Sequence, residues 1–493
     1  MSRKELIWLA AIFVLACSFR ILFIFNTPYF SSTDSYFNLR IVENIQENHI
    51  PKFYDPLGYG GRTVLYPPFF YYTFYLFTFI IPLEIAAKLF SSIAISLLVI
   101  PIFLISKRLT GKTKTSLLVS FISIFIPANI SFTLNTFAPY SLMIPLIFLT
   151  LYLLMDIKKS TKYFIFATVI GALLHPSFLL LIIAFVMYPI LIKLAGFEPD
   201  RTRLEAILFS MLLALWVVFV IYKNALLMHG AAAVWQNIPQ QILRNYFSGI
   251  NILEAIYKIG LVPLLAGILI IYKYISSKMN KEIYLLISFV LSVIILTALH
   301  LLKPDFGMAF TGIILTILFG VFLSNFWDYL NNARVKIMRI ALISLILAAL
   351  VFTNIVPSFI YIQKSIEDAD ITETYDALVW IKENTESSDV ILSSLEEGHL
   401  VTYFAKRPNV IDENFLYQED AETRLDDTNS IYGTRYSTEA ISLLNKYNIK
   451  YVMFTPQTAK TYNLQSLRFL NEACFQLVYD KDVKIYKSLC RMI

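Results

Sequence analysis

The sequence predicts an α-helical polytopic membrane domain, with about eleven spans and one re-entrant or interfacial helix, followed by a C-terminal soluble α/β domain. Three observations carry this reading. Of 493 residues, 57% are hydrophobic and only 15% are charged, against about 25% charged in soluble domains. The apolar residues fall in runs long enough to cross a bilayer, which takes about 20 residues as a helix. After Pro357 the composition turns polar, and short helical and strand patterns alternate.

The apolar runs lie near 6–26, 86–106, 115–134, 138–155, 162–174, 177–195, 204–223, 254–274, 282–301, 306–326 and 335–357. The first is too long for a signal-peptide core and no small-residue cleavage site follows it, so it reads as a retained span. A further apolar stretch, 64–82, is rich in Phe and Tyr and opens on Tyr66-Pro67-Pro68. Loop charge decides its status, because short cytoplasmic loops are enriched in Lys and Arg. The basic clusters are Arg3/Lys4, Lys107/Arg108/Lys112/Lys114, Lys158/Lys159/Lys162, Lys193/Arg201/Arg203, Lys273/Lys278/Lys281 and Arg334/Lys336/Arg339. All fall on the cytoplasmic side if 64–82 does not span, and 64–82 is therefore read as interfacial or re-entrant. The expected topology has the N-terminus in the cytoplasm. It places loops 27–85 and 224–253 outside, together with everything after the last span. The expected domains are a membrane domain, 1–358, and an extracytoplasmic α/β domain, 359–493. The net charge of +6 is modest and sits in short loops, so it reports topology; nothing in the sequence suggests nucleic-acid binding.

Within the C-terminal part, 376–384, 400–405 and 437–446 have helical spacing. Residues 390–392 and 450–454 read as strands, and 410–411 as a strand end. Residues 475–479 and 483–486 flank the turn Asp480-Lys481-Asp482 as a hairpin. Of the three cysteines, Cys17 lies in the first apolar run. Cys474 and Cys490 form a pair if their domain faces an oxidising compartment, and are free thiols otherwise.

The first outer loop holds the densest polar chemistry. Asp34 follows Ser31-Ser32-Thr33 and precedes a helix-like run. One reading makes it a helix cap; the other makes it a carboxylate at the membrane surface, available to accept a proton or to hold a metal. Asp55 and Arg62 flank the glycine-rich stretch Gly58-Tyr59-Gly60-Gly61. That stretch is a structural turn with glycines at positive φ, or a cradle for a phosphorylated headgroup with an Arg fork to meet it. His175, before Pro176, reads as a helix-end residue or a catalyst. Lys303 and Arg244, both in outer loops, would meet a lipid phosphate or simply snorkel at the surface. Glu254 and Lys258 have the i,i+4 spacing of a local ion pair. Zinc spacing, a phosphate loop and G-x-S-x-G are all missing.

These residues resemble a known family. Asp34-Ser35-Tyr36-Phe37-Asn38-Leu39-Arg40 resembles the Asp, Pro, Tyr, aromatic, Asn/His, x, Arg motif of oligosaccharyltransferase catalytic subunits, members of the GT-C superfamily of membrane glycosyltransferases. Tyr66-Pro67-Pro68 resembles that superfamily's YPP/YPG segment. The stretches 377–385, 389–393 and 402–412 resemble the surroundings of the WWDYG motif. The departures are specific. The WWDYG position reads Ser394-Leu395-Glu396-Glu397-Gly398, keeping an acid and the glycine. The place of the second acidic motif, Asn135 to Tyr140, has no carboxylate. No TIxE-like motif occurs in 224–253.

The resemblance implies an enzyme of the lipid bilayer. It would transfer a sugar from a polyprenyl-phosphate-linked donor to an acceptor on the extracytoplasmic face. Asp34 would serve as general base or as an acceptor-orienting carboxylate, and Arg40, Arg62, Arg244 or Lys303 would offset the charge of the leaving phosphate. A divalent metal such as Mg or Mn belongs to the family pattern, but the second acidic motif is not kept. Two rivals stand beside this: a true N-glycosylating oligosaccharyltransferase, and a non-catalytic relative or transporter.

Overall fold

The computed structural model describes residues 2–50, 52–247, 251–277, 280–331 and 336–491. Lys278 and Arg334, two of the basic residues that orient the topology, lie outside these. Chain contacts divide the protein into two compact units. The first comprises 1–31, 67–221 and 246–367; the second comprises 32–66, 222–245 and 368–493.

The first unit is helical. Among the described residues, seven helices are long and apolar enough to cross a membrane, or up to nine if each of two bent pairs is one span. This is fewer than the eleven runs read from the sequence. The helix Tyr140–Met155 has only 16 residues, and Ile157–Leu174 opens on a turn containing Lys158, Lys159 and Lys162. The segment read as interfacial contains the helix Phe69–Tyr75, seven residues long. At 1.5 Å per residue it reaches about 10 Å, a third of a hydrocarbon core. The bends have local causes. Pro127 follows Thr113–Phe125 at a 49° break, and Gly260, at φ 93°, separates Ile252–Ile259 from Leu261–Ser277 at 97°.

Large apolar side chains cover the outside of these helices: Trp8, Leu22, Leu212, Trp216 and Phe352 are all exposed. Water would penalise such a surface, whereas lipid does not. Buried cations are met by hydrogen bonds and ion pairs. The Lys88 ammonium donates to the carbonyls of Ile24, Thr27 and Tyr29 at 3.0, 2.6 and 3.1 Å, gathering the chain that leaves the first helix, Arg3–Ile24. Arg20 donates to Thr133 Oγ1 at 2.9 Å. Lys258 pairs with Glu254 at 2.6 Å, the local pair its spacing suggests, and also with Asp305 at 2.5 Å. The chain is a multi-pass membrane protein.

The second unit is built on two sheets. β1 (Tyr54–Asp55) and β2 (Arg62–Thr63) form an antiparallel pair. β3 (Val390–Leu392), β4 (Ile449–Phe454), β5 (Phe475–Asp480) and β6 (Lys484–Ser488) form a sheet of order β3-β4-β6-β5, in which only β3 and β4 run parallel. The apolar run of β4 is buried on both faces, as expected of an interior strand. Helix Ser437–Lys446 turns Ala440, Ile441 and Leu444 into the core, and the Tyr432 hydroxyl donates to the Leu392 and Met453 carbonyls. Val410 and Ile411 form no strand of the sheet; their neighbour Asn409 instead bridges Ile391 and Gly58. The helices Ala421–Gly433 and Pro456–Tyr462 were not legible in the sequence. Their apolar residues are too sparse to mark a face.

Cys474 and Cys490 are disulfide-bonded, with Cα atoms 4.9 Å apart. The bond ties the start of β5 to the tail after β6. Cys474→Ser is expected to destabilise this unit by about 2–3 kcal/mol, the usual value for a loop of this length. Thermal melting of the purified full-length chain, with and without reductant, measures it; identical melting in both would show that no bond is present.

Candidate functional site

The site is assembled entirely within the second unit. Helix Asp34–Asn48 begins with Asp34, and Leu39, Val42 and Ile45 form its fully buried stripe, spaced three residues apart as a packed helix face requires. Tyr36 packs on Tyr403 and Phe404, with ring centroids 5.3 and 4.9 Å apart. Glu43 pairs with Lys406 at 2.5 Å. These contacts fix the helix against the segment 398–405. Asp34 caps nothing through its side chain: Thr33 is the cap residue and makes no side-chain cap bond. The Asp34 carboxylate is half-exposed, at 48%.

Asp55 and Arg62 lie directly opposite each other across β1 and β2. The turn between them requires glycine. Gly60 and Gly61 have φ of 77° and 74°, and a Cβ on Gly61 would overlap the Tyr54 ring. The cross-strand register therefore makes the ion pair. Arg62 Nη2 lies 3.2 Å from Asp55 Oδ2, and Arg40 Nη2 donates to the same oxygen at 2.6 Å. Arg62 also forks onto Asp412, with Nη1 to Oδ1 at 2.7 Å and Nη2 to Oδ2 at 2.6 Å, and donates to the Asn414 carbonyl at 3.1 Å. Arg62, Asp55 and Asp412 are all buried, with side chains 5%, 10% and 3% exposed. Burial alone would raise the Asp412 carboxyl, but Arg62 outweighs it and holds the group well below the usual carboxylate range.

His399 joins this network to Asp34. Its ring is 1% exposed; Nε2 lies 3.8 Å from Asp34 Oδ1, and Nδ1 lies 3.7 Å from Asp412 Oδ2. Nδ1 has no hydrogen-bond partner among the described residues. Gly398 allows the close approach. A Cβ there would collide with the Ile411 carbonyl and sit 2.7 Å from Asp412 Cβ. The result is a line of alternating groups: Asp34, His399, Asp412, Arg62, Asp55 and Arg40.

Four of the seven residues singled out in the sequence, Asp34, Arg40, Asp55 and Arg62, converge here. Arg62 is spent on internal pairs with Asp55 and Asp412, which leaves no guanidinium face for a phosphate. Arg244, on helix Gln240–Phe247, is exposed and forms no ion pair with any described residue. In the first unit, His175 Nδ1 accepts from the Ser177 N–H at 3.1 Å and so caps the short turn Pro176–Phe178. There too, the Lys303 ammonium sits 4.4 Å from the Tyr246 ring centroid. His399 and Asp412 were not singled out as site residues. Asp412 lies inside a resembling stretch, and His399 directly follows the kept glycine, but no spacing rule links either to Asp34.

A polar cavity of about 310 Å³ opens on the far side of the Arg62–Asp412 pair. Tyr54, Tyr59, Tyr417 and Arg424 line it, and Asp34 does not. Glu397, in the segment aligned with WWDYG, is buried and points inward. It accepts from Ser394 Oγ at 2.7 Å and Thr458 Oγ1 at 3.0 Å. No group of three or more His, Cys, Asp or Glu side chains is arranged to hold a metal among the described residues. The one further donor beside Asp34 is a single imidazole nitrogen, because Arg62 occupies Asp412. The residues present do not fit a divalent-metal site.

The fold is similar to those of two solved proteins, an archaeal oligosaccharyltransferase and ArnT. The archaeal oligosaccharyltransferase AglB from Archaeoglobus fulgidus, in complex with an inhibitory peptide and a dolichol-phosphate, matches over 92% of this chain and 70% of its own. The TM-score is 0.70 at 14% identity. The apo form of the Archaeoglobus fulgidus oligosaccharyltransferase matches at TM-score 0.68 and 15% identity, over 92% and 69% of the two chains. ArnT from Cupriavidus metallidurans, bound to undecaprenyl phosphate, matches over 99% of both chains at TM-score 0.58 and 10% identity. No protein-family model and no curated protein sequence matches the chain. At these identities the likeness establishes the fold, and function has to be argued from the site.

Arg62→Ala would leave Asp412 buried without its counter-charge, while Asp55 keeps Arg40, at an expected cost of about 3–5 kcal/mol. Arg62→Lys should fall between it and wild type, keeping the charge but losing the fork. Because the folded Asp412 carboxyl titrates below its unfolded value, its contribution to stability is full well above about pH 4, the unfolded value, and is lost progressively as the pH falls from there through the lower, folded value. Denaturation of Asp412→Asn against wild type between about pH 3 and pH 7 checks the sign; the gap between them should narrow in acid.

Proposed function

We propose that this chain is a membrane glycosyltransferase. It would take a sugar from a polyprenyl-phosphate-linked donor and pass it to an acceptor on the extracytoplasmic face. The observation that carries this reading is the half-exposed Asp34 carboxylate, held at the head of a packed helix and backed by a buried, charge-compensated network. A carboxylate so placed can take a proton from an acceptor as the acceptor attacks the sugar. One base and a phosphate leaving group suit a single displacement with inversion. The fold supports the donor class: solved proteins with this fold were captured with dolichol-phosphate and undecaprenyl phosphate.

Arg40 and Arg244 are the cations of the second unit best suited to the leaving phosphate. Arg40 has a terminal nitrogen, Nη1, with no partner among the described residues, and Arg244 is exposed. Lys303 of the first unit remains a candidate for the lipid phosphate. The disulfide in the second unit supports an extracytoplasmic placement, because such bonds persist in oxidising compartments; the distribution of Lys and Arg supports it independently. The inward-facing Glu397 argues for an acceptor other than the usual peptide sequon.

A deletion strain complemented with wild type, Asp34→Asn or Asp34→Ala tests the reading. Both variants should accumulate lipid-linked sugar and lose the corresponding surface glycan, with transfer reduced roughly 10²- to 10⁴-fold. Full rescue by Asp34→Ala, with normal glycans and no lipid-linked intermediate, would overturn it.

A further inference from the structure

We propose that His399 is a positioning residue for proton transfer: the fixed charge of Asp412 sets its tautomer with the Nε2 lone pair toward Asp34, so that Nε2 receives the proton Asp34 takes from the acceptor. The inference rests on the reading of Asp34 as the base.

A neutral imidazole has one N–H and one lone pair. His399 lies between two carboxylates, 3.7 Å from Asp412 and 3.8 Å from Asp34, and its single N–H can serve only one. The two carboxylates are not equivalent. Asp412 is buried, gripped by both terminal nitrogens of Arg62, and accepts the Asn414 N–H at 3.0 Å. It is fixed in place and stays ionised. A lone pair on Nδ1 would face that fixed anion at 3.7 Å, too close for a water to fit between them. Asp34 is half-exposed, so water can solvate it opposite a lone pair. The geometry therefore puts the proton on Nδ1, toward Asp412, and the acceptor lone pair on Nε2, toward Asp34.

In turnover, the bond between the acceptor heteroatom and its hydrogen breaks, and the proton goes to Asp34. The freed electron pair makes the new bond to the anomeric carbon. The bond from that carbon to the phosphate oxygen breaks, its electrons leaving with the phosphate. The proton on Asp34 then passes to Nε2, restoring the carboxylate and leaving an imidazolium between two carboxylates. The charged groups around the ring are Asp412, Asp34, Arg62 and Arg40. Burial pushes the imidazole below its ordinary value, and Asp412 and then Asp34 oppose this without reversing it. The ring is thus unprotonated at neutral pH and free to accept. As the pH falls through that lowered value, Nε2 fills in advance and transfer should slow.

The test is the pH dependence of sugar transfer in membranes of the deletion strain. The host's own lipid-linked sugars serve as donor and its envelope fraction as acceptor. His399→Gln should lower the plateau roughly 10²-fold and remove the acid-side inflection, which lies below the ordinary imidazole value. A His399→Gln profile superimposable on wild type would overturn the proposal while leaving Asp34 as base. A wild-type rate in Asp34→Asn would overturn both. Should His399→Gln fail to fold, ¹⁵N spectra of the wild-type protein decide. His175 accepts a hydrogen bond at Nδ1 and so carries its proton on Nε2, whereas His399, assigned by eliminating the His175 and His229 signals with His175→Asn and His229→Asn, should be protonated at Nδ1. Nε2 protonation of His399 would overturn the proposal.

Discussion

The second unit depends on one guanidinium. Arg62 lies between Asp55 and Asp412, and these three groups join segments far apart in the chain: a two-residue strand, a glycine turn and the loop after 398–405. Burying such charges costs several kcal/mol per ion before their attraction is counted, so the network is weak as a source of stability. Its value is geometric. A fork meeting a carboxylate through two bonds fixes both orientation and distance. With Asp412 so fixed, His399 has a defined neighbour on one side, and Asp34 is left as the adaptable partner on the other.

The membrane unit solves the opposite problem. Its outer surface is apolar, so every polar group it keeps needs a partner inside. Lys88 gathers three carbonyls at the end of the first helix, Arg20 reaches Thr133, and Lys258 is shared by two carboxylates. These cations are structural ties, and they show why a charge in or beside an apolar run is not by itself a sign of transport.

The fold shared with AglB and ArnT hosts a site here whose polar groups differ from the family motifs that the sequence resembles. The acid kept at the WWDYG position is accompanied by Glu397, which turns inward onto Ser394 and Thr458. The carboxylate missing from 135–140 has no substitute arranged for a metal among the described residues. An imidazole stands next to Asp34 instead. A shared architecture with altered site chemistry is the ordinary way one fold comes to serve different acceptors.

Local pattern was enough to read much of this protein. Apolar run length marked the membrane helices, and the seven-residue helix Phe69–Tyr75 agrees with a segment that does not span. Strict apolarity marked β4, and Asp480-Lys481-Asp482 marked the hairpin of β5 and β6. Asp34, Arg40, Asp55 and Arg62 were legible because they crowd one short loop. The helices Ala421–Gly433 and Pro456–Tyr462 were not: the buried face of the first, Ala421, Leu425, Thr428 and Ile431, includes a threonine and few large apolar residues, and the second has only seven residues. Asp55 and Arg62 were visible as a pair but not as an exhausted one: their second partners, Arg40 and Asp412, are chosen by the register of β1 and β2 and by the packing of Gly398. His399 was invisible for the same reason. A sequence specifies which residues are polar and how they are spaced along the chain. Which buried charge faces which is settled only when distant segments close-pack, and that tertiary event placed an imidazole between two carboxylates.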